Sequence, residues 1–441
     1  LGLAYISAYL DAKGIGSRII DMNVEQGDAE EQVSRIAGSP DIIGITSMTS
    51  AVLNGLEIAE KCRERFPKAK IVFGGVHATV MPEDILSRDF VDCVIRGEGE
   101  EAFYRLVTGS APESVSGLSY RDNGVIKHNP EGFLIENLDT LPQPAYHKLP
   151  VSRYRPAVGS YKRLPAISML ATRGCPGKCT YCFGSYLGGK IRMHSVKYLI
   201  EEIKMLRSKF GIKQIMFYDD TFTTYRKKVA EFCEEVIRER IDISWVCFSR
   251  VDTIDMETLK LMKKAGCHQI MYGIESGSEE ILKNINKRID RQKATEAVRM
   301  TKKAGIECRA AFMLGNPGET EETMEKTISF AVELDPDIAL FNISTPFPGT
   351  KMFEWAKANG YLASEDWMKY DLSHMLMRLP TVSAEKIEEY YKKAYSVFYN
   401  RPSYMIKRAL RIRGINDIVN GVKGFFAVVL HSGRKNGGGG S

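Results

Sequence analysis

The sequence has no run of roughly 18 or more apolar residues, the length a membrane-spanning helix requires, so it does not read as an integral membrane protein. It also lacks a dense block of lysine and arginine interleaved with aromatics. Its net charge of +6 is mild for 441 residues, so nucleic acid is not expected as a partner. Cysteine is too sparse for a disulfide scaffold, with nine in a chain of this length. Six of them, Cys62, Cys93, Cys233, Cys247, Cys267 and Cys308, stand singly and read as buried thiols in a reducing cytosol. No signal peptide is evident and Leu1 is not a methionine. Gly437-Gly438-Gly439-Gly440-Ser441 has the composition of a flexible linker, so 436–441 is set aside as linker or tag, and both ends are expected to be trimmed.

At 441 residues the chain exceeds one ordinary core, and two or three domains of roughly 100–200 residues are expected. From Leu1 to about Leu106 short apolar runs alternate with helical periodicity. Strands are expected at Arg18–Asp21, Asp41–Thr46, Lys70–Gly74 and Asp92–Ile95. Such alternation predicts an α/β, doubly wound sheet of flavodoxin or Rossmann type over 1–130. Leu3, Ile6 and Leu10 put a helix at the very start, so the first strand of that sheet is expected to be missing. Asp122-Asn123-Gly124, flanked by Gly117–Arg121 and Val125–Lys127, predicts a hairpin that closes this domain. Pro142, Pro144, Pro150, Pro156 and Pro165 then mark Glu131–Pro165 as an ordered crossing segment, with the linker set at 131–163.

Alternation resumes at Ala166, with strands near Ile167–Ala171, Gln214–Tyr218, Ser244–Phe248, Gln269–Gly273, Glu307–Met313 and Ile338–Ile343. Between them fall helices Val196–Lys209, Lys227–Arg238, Met256–Ala265, Gln292–Ala304 and Thr320–Leu334. Six successive strand-helix units suit an open, partial (β/α)6 barrel over 164–356, whose chemistry would lie at the carboxyl ends of the strands. After Lys351 the strands stop. Ser383–Tyr399, Pro402–Arg413 and Asn416–Leu430 make 357–435 a helical region, basic through Arg401, Lys407, Arg408, Arg411 and Arg413. Its apolar Phe425–Leu430 run suits a capping helix or, less readily, peripheral contact with a membrane surface.

Directly after the first barrel strand stands Arg173-Gly174-Cys175-Pro176-Gly177-Lys178-Cys179-Thr180-Tyr181-Cys182. Three thiolates on one tight loop can each take one iron of a cubane, and Gly174 and Gly177 permit the turns that wrap it. The fourth iron would have no protein ligand on this loop and would be open to chelation by a substrate's amine and carboxylate. A structural zinc site would need a fourth ligand, for which His194 is the nearest candidate, and such sites show two paired ligand sets.

This loop resembles the signature of the radical S-adenosylmethionine (SAM) superfamily, in which an aromatic precedes the last cysteine, here Tyr181. The resemblance covers about Leu164–Ala356 and extends to a branch that carries a cobalamin-binding domain (class B-like). It implies a [4Fe-4S] cluster on Cys175, Cys179 and Cys182. It further implies SAM contacts at Asp219-Asp220-Thr221 after the second barrel strand, at Ser249-Arg250 after the third and at Glu275-Ser276 after the fourth. Gly315-Asn316-Pro317-Gly318-Glu319-Thr320 and Thr345-Pro346-Phe347-Pro348-Gly349-Thr350 follow the fifth and sixth strands and read equally well as turns, with Thr320 a helix cap.

Cobalamin, flavins and nucleotides all bind at the carboxyl ends of doubly wound strands, so topology does not choose among them. Thr46-Ser47-Met48-Thr49-Ser50, Gly74-Gly75-Val76-His77-Ala78 and Gly97-Glu98-Gly99-Glu100 each follow a strand, and their small or hydroxyl residues let a bulky ligand approach the backbone. They are similar to the cobalamin-binding domain found ahead of radical enzymes, over about Leu1–Leu106. Candidate contacts are Thr46, Ser47, Thr49, Gly74, Gly75, Gly97 and Glu98. No Asp-x-His-x-x-Gly stretch supplies a lower axial histidine, and His77 reads as a hydrogen-bonding group rather than a cobalt ligand.

The resemblance implies an oxygen-sensitive, cytoplasmic enzyme that reductively cleaves SAM to a 5′-deoxyadenosyl radical with electrons from a low-potential ferredoxin or flavodoxin. The expected outcome is methylation, oxidation or ring formation on a small-molecule or lipid-like substrate. The apolar tail hints at an isoprenoid, hopanoid or porphyrin-like one and at contact with the inner face of the membrane. A methylthiotransferase is disfavoured, because Cys62 and Cys93 are too far apart to form the further cysteine set it would need. The alternative from a different class is a non-catalytic cobalamin or iron–sulfur protein, a sensor or carrier. The Asp219-Asp220-Thr221 and Glu275-Ser276 positions argue against it, since a carrier has no need of a methionine pocket.

Overall fold

The computed structural model describes residues 1–25, 27–132, 134–157, 159–185 and 189–410. The helix expected at Asn416–Leu430, with its Phe425–Leu430 run, and the 436–441 linker lie outside them. The chain forms two compact units. One comprises Leu1–Tyr154, Tyr181–Tyr198 and Pro346–Asp371; the other comprises Arg155–Thr180, Leu199–Thr345 and the chain from Leu372 onward.

The first unit is built on a five-stranded sheet. β1 (Ile42–Thr46), β2 (Lys70–Gly74) and β3 (Cys93–Ile95) run parallel in that order, and β4 (Leu118–Asp122) and β5 (Val125–His128) continue it antiparallel. The helix Val52–Arg65 crosses from β1 to β2 and buries Val52, Leu56, Ala59 and Cys62, one stripe at helical spacing. β2 buries Ile71, Val72 and Phe73 in succession, the continuous apolar reading of a strand packed on both faces. The β4–β5 hairpin turns on Asn123 at φ +50° and Gly124 at φ +82°, the left-handed pair that a tight hairpin demands.

One expected strand of this unit does not form. Arg18–Asp21 makes no ladder, because a strand needs a neighbour. Among the described residues no strand lies beside 18–21. Side chains hold the segment instead: Tyr154 Oη donates to Asp21 Oδ2 at 2.6 Å, and Arg18 Nη1 donates to the Arg35 carbonyl at 3.2 Å.

The second unit carries six parallel strands in sequential order: β6 (Ala166–Met169), β7 (Gln214–Phe217), β8 (Ser244–Ser249), β9 (Cys267–Glu275), β10 (Glu307–Leu314) and β11 (Ile338–Ile343). β6 and β11 do not pair, so the barrel is open. Phe217 on β7 and Trp245 on β8 point out to the helix layer, where they meet Phe222 and Phe232 at ring-centroid distances of 4.6–5.8 Å. Alternation along the strands then turns Met216, Val246 and Phe248 to the lumen.

The lower mouth is closed by 159–163, the end of the proline-marked crossing segment. Gln214 Oε1 accepts the amides of Lys162 (2.7 Å) and Arg163 (3.1 Å), and Gln269 Nε2 donates to the Gly159 carbonyl (2.8 Å). The free edge of β11 is covered by the helix Ala384–Tyr399, whose Tyr395 and Tyr399 hydroxyls donate to the carbonyls of Phe341 and Ala339. Among the described residues no helix is long and apolar enough to cross a membrane.

Candidate functional site

In the first unit small residues gather at the carboxyl ends of three adjacent parallel strands. β1 ends in Thr46 and leads into Ser47 and Thr49, β2 ends in Gly74 followed by Gly75, and β3 leads to Gly97 and Glu98. Gly75 stands at φ +93°. A β-carbon there would lie 2.6 Å from Thr46 Oγ1 and 2.8 Å from the Ser47 carbonyl oxygen, so glycine lets these two turns close on each other. Ser47 Oγ is buried without a protein partner, and Met48 beside it is 70% exposed. A waiting hydroxyl next to open apolar surface suits a large ligand with polar edges.

Two residues of this end serve the fold directly. Glu98 takes both guanidinium nitrogens of Arg192 at 2.8 Å and the Ile135 amide at 2.7 Å, tying 131–154 and 181–198 to the sheet. His77 is fully buried, with Nδ1 3.2 Å from Thr49 Oγ1, Nε2 3.3 Å from Asp84 Oδ2 and its ring against the edge of Trp367. Both ring nitrogens are engaged, as expected of a hydrogen-bonding histidine. The hydrogen bond from His77 holds the Asp84 carboxyl below its ordinary pKa.

In the second unit the residues after β6 to β9 converge on the cysteine loop. Asp219 is buried beyond β7, and its Oδ1 accepts the amides of Ala171 (2.8 Å) and Thr172 (2.6 Å), fixing the root of the loop. Burial pushes its carboxyl up to about 7. Asp220 is exposed, and its charge reaches Cys175. Thr221 is buried, its hydroxyl 3.0 Å from that of Thr224. Gly174 turns at φ +95°. A β-carbon on Gly177 would lie 3.3 Å from Cys175 Sγ, 3.9 Å from Cys179 Sγ and 3.6 Å from Arg250 Nη1. Two sulfurs and one guanidinium therefore face the same bare α-carbon. Arg250 is held in place by Asp252, Nε to Oδ1 and Nη2 to Oδ2, both at 2.9 Å.

Ser249 and Ser276 have their hydroxyls engaged inside the fold. Ser249 belongs to a buried cluster with Thr223 and Thr253; Ser276 bonds Thr327 Oγ1 at 3.0 Å and receives the Ser278 amide. Glu275 stands at φ +70° where the register of β9 and β10 shifts, and it accepts from Lys287 Nζ at 2.8 Å. Burial opposes the Lys287 charge, but Glu275 and Cys179 more than restore it, so its pKa is raised.

Lys287 was not foreseen from the sequence, nor was the latch before it. Asn286 Nδ2 donates to the Lys178 carbonyl at 2.6 Å, and the Thr180 amide donates to the Ile285 carbonyl at 3.0 Å. Nothing in the local sequence sets this lysine apart from one at the surface. Cys182 is exposed on the 181–198 stretch, with the Gly184 amide 3.3 Å from its Sγ, and Tyr181 before it is half-buried.

No three His, Cys, Asp or Glu side chains among the described residues stand in finished metal-ligand geometry. The donor set nevertheless fits a cluster: a glycine-floored cradle with two sulfurs on its rim, a third thiol exposed, and cations nearby to favour thiolates. Cys175 needs that help, because burial pushes its thiol up while the Gly177 amide and Arg250 pull it down. After β10, Glu319 is buried and accepts from Asn316 and Thr323, and Thr320 caps the next helix with Thr323 in a reciprocal box. Thr350 caps Lys351–Ala358. These two stretches hold turns.

The radical SAM superfamily profile matches residues 169–331, from the end of β6 to the helix before β11. The protein belongs to that superfamily and is an enzyme that uses SAM with a [4Fe-4S] cluster. More particularly, the B12 binding domain profile matches residues 1–107, so the chain belongs to the cobalamin-binding branch and takes cobalamin as well. The chain is 38% identical over 419 residues to an uncharacterized methyltransferase of Pyrococcus horikoshii, covering 92% of this chain and 89% of that protein. It is 28% identical to the anaerobic magnesium-protoporphyrin IX monomethyl ester cyclase of Rubrivivax gelatinosus, over 91% of this chain and 74% of that one. Among solved structures, the cobalamin-dependent SAM radical enzyme OxsB, with aqua-cobalamin and SAM bound, superposes with a TM-score of 0.75 at 16% identity, covering 98% of this chain and 69% of that one. The radical SAM methyltransferase TsrM of Kitasatospora setae gives 0.68 at 19%, covering 83% and 76%. These two likenesses establish the fold.

Proposed function

We propose that the protein reductively cleaves SAM at a cluster held by Cys175, Cys179 and Cys182 and uses the outcome, with cobalamin, to methylate or otherwise modify a C–H position of a small-molecule or lipid-like substrate. The observation that carries this is the convergence of strand-end residues on the cradle under Cys175 and Cys179. When bound, the cluster supplies the electron that splits the sulfonium of SAM, and cobalamin supplies a carrier for a methyl group.

The chain's own residues bind and orient. Asp219 fixes the loop root, Asp220 offers a carboxylate to the methionine amino group, and Arg250 and Lys287 offer cations to its carboxylate. Ser249, Ser276 and Thr221 act through the loops they brace, and Tyr181 flanks the third thiol. Thr46, Ser47, Thr49, Gly74, Gly75 and Gly97 line the cobalamin approach, and Glu98 stiffens it.

The relatives' printed activities, a porphyrin ester cyclase and a hopanoid C-3 methylase of Methylococcus capsulatus among them, favour a substrate with a large apolar body. The solitary cysteines are all buried free thiols, which supports a reducing, cytoplasmic setting with a low-potential ferredoxin or flavodoxin as electron donor. Contact of the C-terminal tail with the membrane's inner face belongs to the same proposal.

The test is 5′-deoxyadenosine formation by anaerobically reconstituted protein with SAM and a strong reductant, beside the Cys175/Cys179/Cys182→Ala triple variant. Cluster-dependent product is expected. An intact, reducible cluster that gives no product above the variant would favour the carrier reading. Cobalamin retained after anaerobic purification, read by absorbance, separates methyl transfer from cobalamin-free radical chemistry.

A further inference from the structure

Beside the carboxyl end of β3 the first unit holds a cavity of about 340 Å³, lined by Thr79, Val80, Glu83, Arg96, His128 and Gly349. Its charged walls are of opposite sign. Arg96 Nη2 donates to the Asn129 carbonyl, its Nε is buried without a hydrogen-bond partner, and it forms no ion pair among the described residues. Glu83 is exposed on the short helix Pro82–Leu86, with Oε1 3.1 Å from His128 Nε2. His128 Nδ1 lies 2.8 Å from Ser119 Oγ, so both ring nitrogens are engaged. Glu83 Oε2 is left without a partner among the described residues.

Hydrogen bonds join this cavity to the strand-end turns. Thr79 Oγ1 donates to the Gly75 carbonyl at 2.8 Å and accepts the Gly97 amide at 3.1 Å, so one wall residue bridges the glycines that follow β2 and β3. Arg96 is the residue before Gly97, and its own amide donates to the Gly117 carbonyl at 2.8 Å. The cavity is therefore built onto the edge of the surface where Gly75 and Gly97 admit a bulky ligand, and it meets that ligand's rim rather than its centre.

A carboxylate or phosphate in this cavity would gain from Arg96 and lose to Glu83, and a cation the reverse. A primary amide suits both walls, because its oxygen accepts from a guanidinium and its nitrogen donates to a carboxylate. The rim of a corrin ring is set with primary amides. We propose that the cavity takes one propionamide arm of cobalamin, with Arg96 donating to the amide oxygen and Glu83 Oε2 accepting from the amide nitrogen. The proposal rests on the function above and names the part of the cofactor that this chain reads.

The test uses the full chain with its cluster reconstituted, in wild type, Glu83→Gln and Arg96→Gln. Equilibrium dialysis, read by corrin absorbance, measures binding of cobalamin and of its b-, d- and e-monocarboxylic acids, each with one propionamide replaced by a carboxylate. For one isomer the affinity ratio of acid to cobalamin should rise about ten-fold in Glu83→Gln, where the carboxylate no longer faces a like charge, and fall about ten-fold in Arg96→Gln, where its counter-charge is gone. The ratios for the other two isomers should not move, which separates contact with one arm from a general loss of binding or folding. Ratios that move together for all three acids, or for none, would overturn the proposal. If Arg96→Gln does not fold, Glu83→Gln, a change at an exposed position, decides alone. Wild type that binds no cobalamin would overturn this proposal and the cobalamin reading together, whereas wild type that binds it with no arm-specific shift in the variants overturns only this one.

Discussion

Lys287→Met should destabilise the second unit far more than a surface lysine change, and a second substitution should rescue it. The Lys287 and Glu275 side chains are 10% and 9% exposed, with Nζ and Oε1 2.8 Å apart. Removing one partner of a buried pair leaves the other charge without compensation and costs roughly 3–5 kcal/mol, whereas replacing both with neutral groups of similar volume is often close to neutral. Lys287→Met is therefore expected to cost about 3 kcal/mol, and the Glu275→Gln/Lys287→Met double variant about 1 kcal/mol or less, a coupling of about 2 kcal/mol. Glu275 also holds a left-handed φ of +70°, which costs about 1–2 kcal/mol in a residue with a β-carbon and has to be maintained by its surroundings. Urea unfolding of the cluster-free single and double variants, followed by tryptophan fluorescence, measures the cycle without the metal's linkage to folding. Hydrogen exchange at Thr180 reports whether the loop latch opens with the pair, since its amide bonds the Ile285 carbonyl two residues before Lys287. A double variant as unstable as Lys287→Met would refute the pairing argument, and unchanged exchange at Thr180 would refute the link to the cysteine loop.

Two further outcomes are expected. His268 lies against Gln214 Oε1 at 3.1 Å, and burial pulls its pKa down to about 4 from the ordinary 6.5. The unfolded chain takes up this proton first as pH falls, so stability is full above about 6.5 and is lost on the way down to about 4. Wild type should lose about 1 kcal/mol between pH 7 and pH 5.5 from this group, and His268→Gln should remove that part of the slope in urea midpoints; an unaltered slope would assign the acid sensitivity elsewhere. Gly75→Ala should reduce cobalamin retained on purification several-fold, because its β-carbon would meet Thr46 Oγ1 and the Ser47 carbonyl. Gly97→Ala, with φ +82° but open space around the added carbon, should cost only the backbone strain of about 1 kcal/mol and keep most of the cobalamin, and equal losses would sink the close-approach explanation.

Where period and punctuation agreed, the fold was legible. Ile338–Ile343 and Lys70–Gly74 form with the bounds expected, and Asn123-Gly124 makes its turn because two successive left-handed residues admit few other pairs. Arg18–Asp21 has the composition of a strand and forms none, since a ladder depends on a partner that local sequence does not contain. The short helix Glu279–Asn284 escaped notice for the opposite reason. It is six residues long and is ended by Asn286 at φ +53°, too brief for periodicity to register.

At the proposed site, the sequence names candidate positions without dividing the labour among them. Asp219 and Asp220 are indistinguishable in the chain, yet one is buried on two backbone amides of the loop root and the other is exposed beside Cys175. Glu98 reads as a ligand contact at a strand end and sits in a buried bidentate pair with Arg192, 94 residues away, a distance no motif spans. In each case the sequence records a residue's chemical type, while its task is fixed by which face of a strand or turn it occupies.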